Sequence, residues 1–527
     1  MWHIILALVA VALTVFYLYV RNKMSYWRKL GVPEDPGYFP FGSQASWDFL
    51  LQRIAFTEIT DSVYWNHPDA KVVGGYDFFG RPNIAIRDLD IAKQILVKDF
   101  DQFSERKPDG MDAFSPHSKN NKYFRNMLIE LRGQEWKQTR SSLTPIFTSG
   151  KLKAMVPLIH KAASECCEYL ESQCGEDIEG KDLMVRFALD TIISTGFGYE
   201  INSFQDKEND FKKNADLIVG KNFSFKDIIG FFLYIFAPKL LQYFDMPLLN
   251  KDAERFFVKV ILQSMEERRS SPIKRNDLID LILEVFKKEE MKKESKGDED
   301  DNNPQEGLWS LEELEEVLIS NSLMLFLVGF DTVSTTSAIC LYCLAKHQSC
   351  QQKLYEEICE AVEKSGGEEL GYAEIMNLEY MEMVFQETLR YYPLTHVERA
   401  SKNDYKIPGT DITIPKGIFV RVPTTAIAKD EKYYDNPHSF NPKNFSAEMK
   451  ANRHPYAVNG FGQGPRNCIG MRYATLEVKL AIARIVHKFK ILPCEKTVDE
   501  LIPDPKYIVS ASPKGCLLYT SPSPRDS

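Results

Sequence analysis

The sequence predicts a mainly α-helical protein with a smaller β-rich part. Three observations carry that class. Beyond about residue 40, apolar residues recur chiefly at helical spacing. The longest such pattern opens on Ser310-Leu-Glu-Glu313 and runs to about Lys346. Strand-like runs are short and few, near Val72–Phe79, Pro82–Ile86, Ile412–Ile414 and Ile418–Val422. No internal repeat divides the 527 residues, and 44% of them are hydrophobic, enough for a large core.

The first element is a membrane anchor, residues 1–20. Trp2 to Val20 is apolar apart from His3 and Thr14. As a helix it spans roughly 28 Å, close to the hydrocarbon thickness of a bilayer. Arg21, Lys23, Arg28 and Lys29 follow it, so the positive-inside rule leaves the rest of the chain in the cytosol. The other reading is a cleaved signal peptide, but no small-x-small cleavage site follows. Residues 21–40 are basic, then rich in Pro and Gly. They read as a stiff connector, with the packed body starting after Leu30. A chain lacking residues 1–28 is therefore expected to fold.

Residues 41–518 form the expected main domain. Trp136-Lys-Gln-Thr-Arg140 places an indole N–H and a guanidinium on one helix face, either as anion donors or as an exposed amphipathic surface. Phe223–Phe244 is dense in aromatics, as a core helix or a lipophilic channel wall would be. Lys287–Glu306 is nearly all charged or polar and reads as a solvated loop between helices. Residues 519–527 show no pattern and read as a disordered tail.

The helix that opens at Ser310 begins with a capping box, in which the serine and Glu313 satisfy each other's backbone N–H groups. Its middle, Leu327-Val-Gly-Phe-Asp-Thr-Val333, is poor helix design. Gly329 costs about 1 kcal/mol relative to Ala. Thr332 can bond back to the carbonyl four residues earlier. Such violations mark either a functional site or a buried kink. Glu387-Thr-Leu-Arg390 puts a carboxylate and a guanidinium at i, i+3. A surface pair of that spacing is worth only a few tenths of a kcal/mol.

Ten cysteines are scattered without a disulfide framework, which suits a reducing compartment. Cys340-Leu-Tyr-Cys343 lies inside a helical pattern and reads as packing. Cys468 differs. It follows Phe461-Gly-Gln-Gly-Pro-Arg-Asn and precedes a helix with Tyr473, Leu476, Leu480 and Ala483 on one face. A cysteine before a helix N-terminus has its thiolate favoured by N–H groups and the macrodipole. Glycines let backbone N–H groups approach the sulfur, and Arg466 adds positive charge. Such a loop presents a thiolate to a metal.

The run Phe461 to Gly470 resembles the haem-binding loop of the cytochrome P-450 family, F-x-x-G-x-R-x-C-x-G. Phe461, Gly464, Arg466, Cys468 and Gly470 fill its fixed positions. The resemblance extends over residues 31–518 and looks like the microsomal detoxifying and steroid-metabolising subgroup. It implies haem b (iron protoporphyrin IX) between the long central helix and the cysteine loop, with Cys468 as axial thiolate. A thiolate on haem iron favours O–O cleavage. The central run is similar to the family's A/G-G-x-D/E-T-T/S, so Asp331 and Thr332 are implied to relay protons to oxygen. Val328 and Val333 depart from that pattern. Trp136 and Arg140 match the family's W-x-x-x-R and are implied, with Arg399, to hold the haem propionates. Glu387 and Arg390 match its buried structural pair. The family's third partner is the arginine of P-x-R-F, where Asn444 stands here. Substrate contacts are implied for Ser104–Tyr123, Phe223–Phe244, Phe326–Phe330, Leu394–Val397 and Val509–Ser512.

The implied function is a monooxygenase of the endoplasmic reticulum membrane. It would insert one atom of O2 into a lipophilic xenobiotic, steroid or fatty-acid-like substrate. Electrons would come from NADPH through a reductase, with cytochrome b5 as a further candidate partner. Lys479, Arg484 and Lys488 are the expected docking charges for that reductase. Membrane lipid is the remaining partner, and the net charge of −9 argues against nucleic acid. Two alternatives stay open: a reductase-independent haem-thiolate isomerase or dehydratase, and a haem-binding protein without turnover. Oxygen consumption with reductase and NADPH separates both from the monooxygenase.

Overall fold

Two large apolar cores organise the described residues. The structure, a computed structural model, describes residues 2–39, 42–77, 80–108, 118–218, 229–230, 233–234, 238–270, 275, 277–294, 310–367, 369–394, 396–504 and 516–522. The larger core is helical. Its axis is the helix Leu311–Lys346, 36 residues long. Ser310 and Glu313 close the capping box with bonds of 3.2 and 2.8 Å. The helices Gly180–Ile192, Glu379–Tyr391 and Met471–Lys488 pack around it. Gly329 faces the first of these, where a Cβ would stand 3.3 Å from Ile192 Cδ1. This central helix is long and apolar enough to cross a membrane, but most of it is buried inside the protein.

The smaller core lies against a four-stranded sheet. Its order is Val72–Asp77, Arg81–Ile86, Phe419–Val422, Val397–Ala400. The middle pair is parallel and the outer pairs are antiparallel. A two-stranded hairpin, Tyr405–Lys406 with Thr413–Ile414, stands apart from it. A second sheet joins Asp177–Glu179, Leu517–Pro522 and Phe489–Pro493. The architecture is mainly α with a smaller β part, as the helical periodicity and short strand runs predict.

Three boundaries differ from expectation. The packed body begins before the Pro/Gly segment. The first helix extends over Trp2–Lys23, a short helix follows at Tyr26–Lys29, and Trp27 is fully buried in the smaller core. Its indole Nε1 donates to the Gly75 carbonyl at 3.0 Å, and its ring occupies the space that a side chain at Gly74 would need. One aromatic among basic residues gave no periodicity to read. Lys287–Glu306 is not all loop, because the helix Leu278–Glu294 covers its first part. Lys and Glu are good helix formers, so a polar run can extend an amphipathic helix. Residues 519–522 are also not the patternless tail expected. Leu517–Pro522 is a strand paired with Phe489–Pro493, which its β-prone Leu, Tyr and Thr residues suit. Residues 523–527, Val509–Ser512, all of 109–117 and most of 219–237 lie outside the described residues.

Deleting residues 1–19 keeps Trp27 and is expected to leave a folded protein. Extending the deletion to residue 28 removes Trp27 and should cost about 3–5 kcal/mol, the usual loss for truncating a buried aromatic. Urea unfolding of the two truncations, followed by far-UV circular dichroism, checks this. Equal midpoints contradict it.

Candidate active site

The cysteine loop is shaped by two residues that only glycine accommodates. Gly462 and Gly464 have φ of 72° and 76°, in the left-handed region. A Cβ on Gly464 would collide with the Leu96 carbonyl oxygen. The turn closes where Asn467 N–H donates to the Gly464 carbonyl at 3.0 Å and Cys468 N–H to the Phe461 carbonyl at 2.8 Å. Phe461 packs on Phe385, with ring centres 6.0 Å apart. Gly470 is the N-cap of the helix Met471–Lys488, and its N–H bonds the Cys468 sulfur.

All ten cysteines are free, and Cys468 alone among them is exposed. Yet burial is the largest influence on its thiol, raising its pKa. The Gly470 N–H and the charges of Arg140 and Arg106 pull the other way. The exposure and the desolvation fit together if the sulfur opens into a recess rather than onto the outer surface. By contrast Cys340 and Cys343 are packed in the helical core, where burial pushes the Cys340 thiol up to about 12.

Two arginines are buried beside this loop with donors to spare. Arg399 gives Nη1 to the Glu398 carbonyl at 2.8 Å. Arg466 gives Nη2 to the Leu131 carbonyl at 2.9 Å, lies 3.6 Å from Glu105, and stands 4.3 Å over the buried Trp136 ring. The Nε of each is buried without an acceptor among the described residues. Burial and then Arg106 pull both guanidinium pKa values down to about 9. Crowded buried cations with unused donors call for an anion. A haem with two propionates and an iron open to a thiolate fits this donor set. Arg140 is placed differently from expectation. Its Nη1 donates to the Asn467 carbonyl and its Nη2 to Asn467 Oδ1, each at 2.9 Å. It grips the residue before Cys468.

On the central helix, Leu327, Val328, Gly329 and Thr332 are only half-buried, although the helix around them is buried. Val328 and Thr332 share a face. Thr332 Oγ1 donates to the Val328 carbonyl at 2.6 Å, the back-bond that a mid-helix threonine predicts. Asp331 is buried and turns elsewhere. Lys181, from the helix Gly180–Ile192, reaches its Oδ1 at 3.2 Å and also donates to Ser334 Oγ at 2.9 Å and Thr335 Oγ1 at 2.5 Å. Lys181 has no signal in the sequence: next to Asp182 and Glu179 it reads as a solvated helix end.

Glu387 and Arg390 are buried and joined by two bonds of 2.7 Å. Arg390 also donates to the carbonyls of Ala428, Pro437 and Ser439. Asn444 donates Nδ2 to both carboxylate oxygens of Glu387, at 3.2 and 3.3 Å. The expected basic patch is not assembled. Lys479 is fully buried and paired with Glu382 at 2.7 Å, and Lys488 pairs with Glu171 at 3.3 Å. Arg484 is half-buried. A helix buried on most sides takes its lysines inward with it. Arg472 is exposed just after the loop.

The family model described as Cytochrome P450 matches residues 50–519. The chain is 34% identical over 520 residues to cytochrome P450 6B7 of Helicoverpa armigera, covering 98% of this chain and 97% of that one. It is 32% identical over 530 residues to cytochrome P450 6a2 of Drosophila melanogaster, covering 98% and 99%. It is 31% identical over 503 residues to cytochrome P450 6k1 of Blattella germanica, covering 93% and 92%. A loop that presents the exposed Cys468 sulfur, two buried arginines with unused donors and a match over nearly the whole length agree, and the chain belongs to the cytochrome P450 family of haem-thiolate monooxygenases.

Proposed function

We propose that this monooxygenase is anchored in the endoplasmic reticulum membrane and oxidises lipophilic, xenobiotic-like substrates with electrons from NADPH delivered by a reductase. The observation that carries the site assignment is Cys468: an exposed sulfur in desolvated surroundings, bonded by the Gly470 N–H. When bound, the haem supplies oxygen activation, placing one oxygen atom in the substrate while the other leaves as water. Cys468 is its thiolate ligand. The Gly470 N–H and Arg140 answer the sulfur's charge, and Gly464 lets the loop approach Leu96 closely. Arg399 and Arg466 hold the propionates, with Trp136 stacked beneath Arg466. Phe461 fixes the start of the loop against Phe385. The Glu387–Arg390 pair braces the backbone behind it.

Proton handling falls to the central helix. Thr332 gives its own proton to the Val328 carbonyl, which leaves its oxygen lone pairs to accept a proton or bond a water on the half-buried face. Asp331 is held by Lys181, Ser334 and Thr335 belong to the same polar group, and a proton taken from that side passes through it. Leu327, Val328 and Leu394 are half-buried apolar side chains at the helical core and suit a lipophilic substrate.

The helix Trp2–Lys23, exposed over most of its length, supports the anchor. Arg21, Lys23, Arg28 and Lys29 behind it support a cytosolic catalytic domain. Arg472 replaces the expected charges as a reductase contact, and cytochrome b5 remains a second candidate partner.

Cys468→Ser is expected to abolish turnover while the helical circular dichroism is kept. In the carbon monoxide difference spectrum of the reduced protein, the thiolate-type Soret band should vanish. Its persistence would reject Cys468 as ligand.

Thr332→Ala should leave haem content and substrate-induced Soret shifts unchanged, because the hydroxyl bonds only its own helix. Peroxide released per NADPH oxidised should rise and product should fall. An unchanged ratio of product to NADPH would remove Thr332 from proton delivery.

A further inference from the structure

Behind the cysteine loop, the Glu387 site has one residue missing and one unexplained. Asn444 fills its place imperfectly. Its Nδ2 reaches both carboxylate oxygens of Glu387, but its Oδ1 is buried with no donor among the described residues. The position suits a group that only donates. A short distance along the chain, Arg453 is 8% exposed, and its Nη1 and Nη2 are both buried with no acceptor among the described residues. Unpaired guanidinium nitrogens in an interior are costly and call for a reason.

The aromatic rings around Arg453 supply part of it. Its guanidinium carbon lies 4.4 Å from the centre of the Tyr434 ring and 4.8 Å from that of Phe445. Ring faces attract a cation without using its N–H groups. Arg390 contacts the same Tyr434 ring at 5.1 Å. One tyrosine therefore touches two guanidiniums. Burial pulls the Arg453 guanidinium pKa down; Tyr434 and then Glu387 act against that pull, and Arg390 adds to it. With Arg390 alone the site is neutral. With Arg453 it carries one net positive charge, as a carboxylate with two arginines would.

The connection to the loop is direct. Tyr434 Oη donates to the Ala457 carbonyl at 3.1 Å, in the segment that runs into Phe461 and on to Cys468. Gly460, in that segment, passes so close to the Glu379–Tyr391 helix that a Cβ would stand 3.0 Å from Leu389 Cδ1. We propose that Arg453 is a positioning residue: it supplies the second guanidinium of the Glu387 site from a different place in the chain, and through Tyr434 it holds the approach to the cysteine loop. This rests on the assignment of Cys468 as haem ligand.

The test is the carbon monoxide difference spectrum of the reduced full-length protein in four forms: wild type, Arg453→Gln, Asn444→Arg and the double variant. Glutamine keeps an amide N–H donor and loses the charge. Arg453→Gln is expected to lose most of the thiolate-type Soret band, either to the band of haem without thiolate or to loss of haem. Asn444→Arg should keep the wild-type band. Asn444→Arg with Arg453→Gln should recover it, because the second guanidinium returns from the other position. Recovery would not follow if Arg453 only filled space. A wild-type band in Arg453→Gln would overturn the proposal. So would loss of the band in Asn444→Arg alone, or failure of the double variant to recover it. Absence of the band in the wild type would instead overturn the ligand assignment, and the proposal with it.

Discussion

A sulfur that is to carry negative charge inside a protein needs that charge answered locally. This requirement organises the molecule around Cys468. Burial by itself favours the neutral thiol. The opposing contributions are one N–H at the N-cap of the helix Met471–Lys488 and the charges of Arg140 and Arg106. None of these is adjustable on its own. The N–H is in place because Gly462 and Gly464 turn the chain in the left-handed region, and Arg140 because it is forked onto Asn467. Metal coordination completes what these groups begin, since a bound cation stabilises thiolate outright.

Charge is balanced differently on the two sides of the loop. On the side of Arg399 and Arg466, burial and the charge of Arg106 pull both guanidinium pKa values down, and Glu398 and Glu105 oppose this only in part. An anion placed there raises those values back and removes the repulsion. On the other side Glu387 and Arg390 pair one to one, and every strong donor of Arg390 has an acceptor. Removing one partner of such a buried pair costs about 3–5 kcal/mol, far above the value of the same spacing on a surface. The first side is thus poised to bind, and the second to stay rigid.

Local features were legible in the chain before any coordinates. The capping box at Ser310 and the back-bond of Thr332 are each written within four residues of themselves, and the central helix within its own run of apolar spacing. The cysteine loop is equally local. What escaped are contacts between distant residues. Lys181 meets Asp331 across 150 positions, and Trp27 meets Gly75 across 48. Arg453 reaches Tyr434 and Phe445 without any spacing rule. Lys479 and Lys488 misled for the same reason: their polarity suggested a surface, while the helix that carries them is packed on most sides. Arg140 was located on the right helix face, but its partner, Asn467, lies in a loop 327 positions away.

The central claim is that Cys468 sulfur binds haem iron. X-ray absorption at the iron edge of the purified, haem-loaded protein tests it most directly. The account predicts one sulfur in the first shell of iron, present in the wild type and absent in Cys468→Ser. A first shell of nitrogen and oxygen alone in the wild type would contradict it.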